Sequence, residues 1–272
     1  MSRLLFVQGL DLVIEALQKL QGRDDVRATA NLIERIAELR GSGNIEQATP
    51  RDANSVFQDC PAAHSKTNVE ALAELRSVAS VCKKCPHLAA FRHTVVFGVG
   101  NPNADLMFVG EAPGADEDLR GEPFVGRAGE LLTKIIQTMG YERSEVYIAN
   151  ILKCRPDLPV GASGNRQPTE QEMANCLPYL RQQIELIQPK VIVALGGVAM
   201  RGLFRKNEPM KNLRGRWHSF GSVPVMATFH PSYLLRNQAL TEKRKVWEDM
   251  LLVLERLGRH ITERQRNYFL KG

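Results

Sequence analysis

Residues 110–126 form a loop rich in glycine, proline and acidic side chains, set between an apolar run and a helical pattern. The run at 106–109 is typical of a buried strand. After the loop, apolar residues recur at the spacing of one helix face: Leu131, Leu132, Ile135, Ile136 and Met139. This order predicts an α/β unit whose loop lies where open α/β sheets bind ligands. A proline- and glycine-rich connection with solvated carboxylates explains the composition equally well.

The same alternation of short apolar runs and helical patterns continues along the chain. It predicts further strands at 94–97, 146–149, 191–195 and 225–229, and an edge strand within 214–220. Helical patterns cover 69–80, 169–187 and 241–257. Strands that alternate with helices predict a mostly parallel sheet covered on both faces, which is a three-layer α/β/α sandwich.

Three polar signals come directly after predicted strands. They are the 110–126 loop, Asn150 and His230. Because the carboxyl ends of parallel strands meet at one edge of the sheet, we expect these three segments to converge on a single crevice.

The first 67 residues have a different character from the rest of the chain. Amphipathic helical patterns cover 10–20 and 26–39, and residues 41–67 are rich in Gly, Ser, Asn, Pro and Ala. We therefore expect a helical extension and linker over 1–67, followed by the main domain over 68–272. The extension either docks on that domain or binds a partner.

Charge is distributed unevenly between these two parts. The chain has 36 Lys/Arg and 30 Asp/Glu; residues 1–67 hold eight and nine of these, and the remainder holds 28 and 21. A basic main domain suits a polyanionic partner such as nucleic acid, although many enzymes are mildly basic.

The composition also bears on the location of the protein. A hydrophobic content of 43% is enough for a sizeable core. No apolar stretch is long enough to span a bilayer, and the N-terminus lacks the apolar region of a signal peptide. We expect a cytoplasmic protein without a membrane partner, whose thiols stay reduced.

Four of the five cysteines have spacings that suit a metal centre. Cys82 and Cys85 are separated by two residues, which lets two thiolates reach one metal. Cys154 and Cys176 lie far along the chain, and Cys154 is close to Asn150. Zinc, an iron–sulfur cluster, or a chance pair with two buried thiols all fit this spacing.

Several separate motifs, in their order along the chain, resemble family 4 uracil-DNA glycosylases. The motifs are Gly110-Glu-Ala-Pro-Gly114 with Glu117-Asp118, Pro123-Phe-Val-Gly126, Asn150-Ile-Leu-Lys-Cys-Arg-Pro156 and His230-Pro-Ser-Tyr-Leu-Leu235. The resemblance covers about residues 75–257 and implies the uracil-DNA glycosylase fold. It implies a monomeric base-excision repair enzyme that flips uracil out of single- or double-stranded DNA and hydrolyses its N-glycosidic bond. It also implies a [4Fe–4S] cluster held by Cys82, Cys85, Cys154 and Cys176.

The resemblance assigns roles to individual residues of the crevice. Phe124 would stack on the flipped base, Asn150 would read its polar edge, and His230 would hydrogen-bond uracil O2. Uracil presents an N3 donor and an O4 acceptor that match an amide, whereas cytosine reverses that pattern. The remaining implied base contacts and candidate catalytic carboxylates are Gly110, Ala112, Glu111 and Glu117.

Two features of the resemblance concern the general base and the DNA backbone. Ala112 stands where the best-known uracil glycosylases carry a water-activating aspartate, so the resemblance supplies no general base. After His230, Leu234 and Leu235 are candidate wedges for the vacated base stack, and Arg236 is a candidate phosphate contact; ordinary loop packing is the alternative. Further candidates for a phosphate track, each also explained as a surface charge, are Arg155, Arg166, Lys211, Arg214 and Arg216.

Two other functions compete with uracil excision. One is a related glycosylase that acts on another deaminated base or cross-links to DNA. The other is a non-catalytic iron–sulfur module that only binds DNA. The presence of Phe124, Asn150 and His230 together argues against the second.

Overall fold

The computed structural model describes residues 67–159, 161–162, 164–205 and 207–270. The predicted extension and linker over 1–67 lie outside the described residues, apart from Thr67. Thr67 caps the first helix in a reciprocal pair with Glu70, in which each side chain bonds the backbone N–H of the other residue.

Ten helices and six strands alternate along the described residues. In chain order they are α1 (Asn68–Ser80), α2 (Pro86–Phe91), β1 (Val99–Gly100), β2 (Leu106–Gly110), α3 (Ala115–Arg120), α4 (Arg127–Thr138), β3 (Tyr147–Asn150), α5 (Glu170–Ile187), β4 (Val191–Leu195), α6 (Gly197–Phe204), α7 (Met210–Leu213), β5 (Trp217–Phe220), β6 (Val223–Thr228), α8 (Pro231–Arg236), α9 (Leu240–Arg256) and α10 (Glu263–Arg266).

The six strands form one sheet in the order β1-β3-β2-β4-β6-β5. The four central strands are parallel, and the two edge strands, β1 and β5, are antiparallel to their neighbours. Gly110 pairs with Asn150, and Leu195 pairs with Thr228, so the ends of the central strands align. The sheet is therefore mostly parallel, as predicted.

Both faces of the sheet are buried against helices. Met107 and Val109 of β2 belong to a core that includes residues of α1, α5 and α6. Leu106 and Phe108 point to the opposite face and belong to a core with α4 and α9. Because side chains alternate along a strand, an uninterrupted apolar run supplies both cores. The three-layer α/β/α sandwich is confirmed.

The strand predicted at 94–97 is wrong. These residues are extended but pair with no strand, and the edge strand is instead β1, which pairs with β3. The backbone N–H groups of His93 and Thr94 donate to the Asp118 carboxylate, and Val96 N–H donates to Lys153 O. Side-chain and loop acceptors thus replace a strand ladder.

Two segments predicted as loops contain short helices, and long-range hydrogen bonds anchor the C-terminal tail. Helix α3 lies inside the 110–126 loop, and α8 covers the segment after His230. In the tail, Trp247 Nε1–H donates to Gln265 O at 2.5 Å, and the Gln265 amide donates to Thr138 O at 2.9 Å. No periodic pattern in the local sequence predicts these long-range bonds.

Within the part of the chain that is described, no helix combines the length and the apolar character needed to cross a membrane.

Candidate active site

A cavity of about 540 Å³ opens at the carboxyl edge of the central strands. Glu111 follows β2, Asn150 ends β3 and His230 follows β6, and all three side chains line it. The predicted convergence of the three polar segments is therefore observed. Aligned ends of parallel strands bring together residues up to 119 positions apart in the sequence.

The floor of the cavity is a close contact between Gly110, Phe124 and Asn150. A Cβ atom on Gly110 would collide with Asn150 Oδ1 and with the Phe124 ring. Glycine is thus required here because an amide and an aromatic ring approach the same backbone atom.

Phe124 is held in a strained backbone conformation. Its φ angle is +56°, in the left-handed region that non-glycine residues rarely adopt, at a cost on the order of 1–3 kcal/mol. The Arg143 guanidinium fixes this turn by donating to Pro123 O at 2.7 Å and to Phe124 O at 3.1 Å. Gly129 has no room for a Cβ against the Phe124 carbonyl. The ring is therefore preorganised over the cavity.

Glu117 fastens the other side of the same loop. Its carboxylate accepts backbone N–H bonds from Gly114, Val125 and Gly126, each at 3.0 Å. Both oxygens are therefore engaged in shaping the loop. Although Glu117 lines the cavity, this geometry makes it a positioning residue rather than a free proton acceptor.

Asn150 is buried, at 2% exposure, and its Oδ1 has no hydrogen-bond partner. Such an orphaned acceptor is uncommon in a native interior and needs an explanation. Because Asn150 lines the cavity, a ligand with an N–H donor in the plane of the amide would satisfy it.

His230 presents one defined nitrogen to the cavity. Its Nδ1 accepts a bond from the Ser232 backbone N–H at 3.1 Å, which caps helix α8. The neutral ring therefore carries its proton on Nε2. Burial lowers the pKa of His230 to about 4, with Arg236 acting in the same direction and Glu117 opposing it. At neutral pH, His230 is thus an uncharged hydrogen-bond donor, and its ring lies 5.6 Å from that of Phe124.

Glu111 is the cavity carboxyl whose protonation changes near neutral pH. Burial raises its pKa to about 7, and the positive charge of Arg201 opposes this rise. Arg201 lies on α6 and also lines the cavity, where its buried Nε has no partner. Ala112, beside Glu111, offers no titratable group. Glu111 is therefore the carboxyl best suited to proton chemistry or cation stabilisation.

The outer wall of the cavity is a loop held by ion pairs. Arg166 pairs with Asp157 and with Glu172. Burial would raise the pKa of Glu172, but hydrogen bonds from Arg166 and His87 outweigh it and lower this pKa to about 2. Oxygen or nitrogen atoms of His87, Asp157 and Glu172 lie within 4.8 Å of one another. Since Arg166 already neutralises the two carboxylates, this cluster is best explained as a structural brace.

The predicted DNA contacts after His230 are only partly placed on the surface. Leu234 is buried at 6% exposure within α8 and faces a groove that it shares with Leu131 and Ile135. Helix α8 turns this side chain inward, and the role of Leu234 as a wedge stays a prediction. Leu235 is half-buried, and Arg236 is exposed and lines the cavity mouth.

Two candidates for the phosphate track form ion pairs within the protein. Arg166 is committed to its two carboxylates, and Arg214 pairs with the buried Asp249 at 2.8 Å. Their charges are therefore compensated within the protein. Lys211 and Arg216 are exposed.

The four cysteines selected from the sequence lie together beside the cavity. Cys82 and Cys85 are half-buried, whereas Cys154 and Cys176 are buried. Burial raises the pKa of Cys154, and the neighbouring Cys82 and Cys85 add to this effect. Burial also raises the pKa of Cys176 to about 12, with contributions from Cys154 and Cys82. Cys154 and Cys176 belong to one hydrophobic core, and Cys82 and Cys85 pack against the same core.

The surroundings of the sulfurs suit a bound metal centre. Arg92 donates to Cys154 Sγ at 3.1 Å, Lys153 N–H donates to Cys176 Sγ at 3.2 Å, and Asn175 donates to Cys85 Sγ at 3.5 Å. Donors of this kind stabilise thiolates, which are the form that binds metal. The donor set therefore fits a four-thiolate centre.

Three residues of the site have no signal in the sequence analysis. Arg143 acts across the fold on the Phe124 turn, and nothing in its local sequence marks it. Arg201 is the one charged residue in the otherwise apolar α6, a pattern that could have drawn attention. Lys153 lies inside the Asn150-to-Cys154 motif, yet it is buried at 1% exposure.

Comparisons with known proteins identify the family of the chain. A family model described as the uracil DNA glycosylase superfamily matches residues 97–251. A type-4 uracil-DNA glycosylase of Thermotoga maritima is 46% identical over 173 residues, covering 62% of this chain and 85% of the relative. A type-4 uracil-DNA glycosylase of Sulfurisphaera tokodaii is 38% identical over 213 residues, covering 75% of this chain and 92% of the relative. A type-5 uracil-DNA glycosylase of Pyrobaculum aerophilum is 29% identical over 192 residues, covering 56% of this chain and 79% of the relative.

Proposed function

Because this chain belongs to the uracil DNA glycosylase superfamily, we propose that it removes uracil from DNA by hydrolysing the N-glycosidic bond. The reaction leaves an abasic site and begins base-excision repair. One observation carries the proposal: the orphaned Asn150 Oδ1 lies in a cavity beside the Phe124 ring. That arrangement suits a planar base with an N–H donor.

Base selection follows from the chemistry of Asn150. Its Oδ1 accepts from uracil N3–H, and its Nδ2 donates to O4. Cytosine presents the reverse pattern and would leave buried groups unpaired, which is how a polar site discriminates strongly. Phe124 stacks on the base, and the tight floor at Gly110 sets how deeply the base enters.

Departure of the base depends on His230. Breaking the bond places negative charge on uracil O2, and the neutral Nε2–H donates to that oxygen as the charge develops. An imidazole with a low pKa suits this task, because the neutral ring donates its Nε2–H to the developing charge and keeps its proton. Glu117 contributes indirectly by fixing the loop that carries Phe124.

Glu111 completes the chemistry on the sugar side of the base. Its carboxylate stabilises the positive charge that develops on the sugar and orients or deprotonates the attacking water. Because the adjacent Ala112 has no ionisable side chain, we assign this role to Glu111. Arg201 keeps enough of Glu111 ionised at neutral pH for the reaction to proceed.

The rate of uracil release is expected to rise with pH through an acid limb centred near 7. The pKa of Glu111 is raised to about 7, so its carboxyl is protonated and inactive below that pH and ionised above it. Glu111→Gln should abolish the limb and lower the plateau. Arg201→Met should shift the limb to higher pH, because the opposing positive charge is lost. Single-turnover rates between pH 5 and 9 measure both effects.

A matched carboxylate provides the control for this pH profile. Glu130 is exposed on α4, outside the cavity, and Glu130→Gln should retain the limb. An unchanged limb in Glu111→Gln would assign the titration to another group and remove Glu111 from the mechanism.

Contacts to the DNA backbone are proposed for the exposed side of α8. Arg236 is positioned at the cavity mouth to meet a phosphate next to the flipped nucleotide, while Leu234 supports the helix from below. Both single- and double-stranded DNA are proposed as substrates. All proposed site residues lie within 68–272 of one chain, so we propose that this part acts as a monomer, in the cytoplasm with its DNA.

We further propose that Cys82, Cys85, Cys154 and Cys176 hold a [4Fe–4S] cluster. The similar proteins include type-4 enzymes, and the set of two buried and two half-buried thiols fits such a group. When bound, the cluster would supply a structural cross-link between the segment that joins α1 to α2, the loop after β3 and α5. The chemistry on the base stays with the residues of the cavity.

Purified protein is expected to be brown, with about four irons per chain and a broad visible absorbance, since a [4Fe–4S] cluster ligated by four cysteines absorbs in this way. Cys154→Ser should lose most of the iron and the colour. The measurement is iron and zinc analysis after anaerobic purification. Stoichiometric zinc in a colourless protein would contradict the cluster.

The proposed activity is tested with oligonucleotides that carry one uracil, hypoxanthine or thymine, in single and double strands. Alkali cleaves the abasic product, so uracil strands should break at the uracil position and thymine strands should stay intact. Cleavage at hypoxanthine alone would favour a glycosylase for another deaminated base. Binding without any cleavage would favour a non-catalytic DNA-binding module.

A further inference from the structure

Lys153 is a buried lysine without an acidic partner. Its side chain is 1% exposed, and Nζ donates to Asn150 O at 3.0 Å and to Gln183 Oε1 at 2.5 Å. Nζ also lies 5.8 Å from the centre of the Phe97 ring. Among the described residues, no carboxylate forms an ion pair with it. A buried ammonium ion that meets only neutral acceptors is unfavourable unless a negative charge lies nearby.

The cysteine centre is the nearest source of such charge. The backbone N–H of Lys153 donates to Cys176 Sγ at 3.2 Å, and Cys154 is the next residue in the chain. Four metal-bound thiolates would give a centre with net negative charge, and the backbone of Lys153 contacts one of its sulfurs. The same lysine bonds the carbonyl of Asn150, so it lies between the thiols and the cavity.

The position of the ammonium group is fixed by its other partner. Gln183 accepts from Lys153, and its own amide donates to Phe97 O at 3.0 Å and to Tyr147 Oη at 3.1 Å. Gln183 is fully buried on α5, the helix that carries Cys176. Lys153 is therefore held by a buried polar network, which favours a specific role over a solvated charge.

We propose that Lys153 is the internal counter-ion of the cysteine centre and the positioning residue that fixes the backbone of Asn150 for base recognition. This inference rests on the proposed function and cluster. The two parts make separate predictions: the charge of Lys153 acts on the cluster, and its hydrogen bond acts on Asn150.

The charge is tested by the reduction potential of the cluster in protein without DNA. A buried positive charge stabilises the added electron, so its loss should shift the potential to a more negative value. Lys153→Met and Lys153→Gln both remove the charge and should shift the potential in the same direction. Dithionite titration, followed by visible absorbance and electron paramagnetic resonance, measures the shift.

Lys84→Met is the matched control for the charge. Lys84 lies between Cys82 and Cys85 in the sequence but is exposed, so water and salt screen its charge. The reduction potential of the cluster in Lys84→Met should equal that of the parent protein. An unchanged potential in both Lys153 variants, or an equal shift in Lys84→Met, would overturn the counter-ion role.

The hydrogen bond is tested by comparing the two Lys153 variants as catalysts. Lys153→Gln keeps a donor for Asn150 O and should retain most uracil release, whereas Lys153→Met should lose at least tenfold. Equal activity in both would overturn the positioning role. If Lys153→Met fails to fold, the Lys153→Gln variant alone decides the counter-ion role. A reduction potential in Lys153→Gln equal to that of the parent protein would overturn it.

Failure of the underlying proposals has a distinct signature. An iron-free, colourless parent protein overturns the cluster and the counter-ion role together. If the parent protein is brown and the Lys153 variants shift the reduction potential, but the parent protein releases no uracil, the proposed activity is overturned and the counter-ion role stays supported.

Discussion

Asn150→Ala is expected to slow uracil release more than any other single change in the cavity. The substitution removes the acceptor and the donor that read uracil N3–H and O4. Each polar group left unpaired costs about 1–3 kcal/mol. For two groups this corresponds to roughly 30-fold to 10⁴-fold, at about 1.4 kcal/mol per tenfold. Single-turnover excision from an oligonucleotide with one uracil measures the loss.

Two further variants sharpen the test of Asn150. Asn150→Asp keeps an acceptor but, when ionised, lacks the donor for O4, so it should also excise uracil slowly. Its carboxylate suits a cytosine amino group, and a trace of cytosine release is expected. Asn165→Ala is the control, because Asn165 is an exposed asparagine at the rim of the same cavity and should change the rate little. Near-parental excision by Asn150→Ala would show that the base is read elsewhere.

His230→Ala is expected to lower the rate of the chemical step by about 10²- to 10³-fold, the usual effect of losing one donor to a developing oxyanion. Binding of abasic DNA should change much less, because the donor acts mainly as charge builds on O2. The pKa of His230 is lowered to about 4 by burial, so its ring stays neutral from pH 5 to 9. The residual activity should therefore keep the acid limb assigned to Glu111.

The control for this variant is His260→Ala, which removes an exposed histidine after α9. It should leave rate and binding unchanged. A rate loss in His230→Ala that is matched by an equal loss of DNA affinity would assign His230 to ground-state binding instead of the chemical step. Disappearance of the acid limb would make His230, not Glu111, the titrating group.

The main architecture was predictable because it depends on short-range patterns. Continuous apolar runs identify strands buried on both faces, as in β2 and β4, and parallel strands must align their carboxyl ends. The meeting of Asn150 and His230 in one cavity follows from that alignment. The prediction failed at 94–97, where an apolar segment gives its N–H groups to Asp118 and Lys153 instead of a strand.

The supporting residues of the site could not be predicted because their roles come from distant contacts. Arg143 acts on a turn 19 positions away, and Lys153 meets Gln183, 30 positions away, inside the core. The burial of Leu234 was unpredictable for a related reason: a six-residue helix, capped by the His230 side chain itself, rotates it inward. Periodicity is too weak over six residues to reveal that helix.

Similar limits apply to the acidic loop. Its glycines and carboxylates marked it as important, but Glu111 and Glu117 could not be told apart by sequence. The structure separates them, since three backbone N–H groups occupy Glu117 while burial leaves Glu111 with a pKa of about 7. One residue therefore shapes the loop, and the other is available for chemistry.

The most direct measurement is the crystal structure of the protein with free uracil, the product of the proposed reaction. We predict uracil stacked on Phe124, with N3–H donating to Asn150 Oδ1, O4 accepting from Nδ2, and O2 accepting from His230 Nε2. Crystals of Asn150→Ala soaked in uracil under the same conditions should show no uracil in the cavity. Uracil bound elsewhere, or bound in the cavity with N3–H directed away from Asn150, would contradict the account.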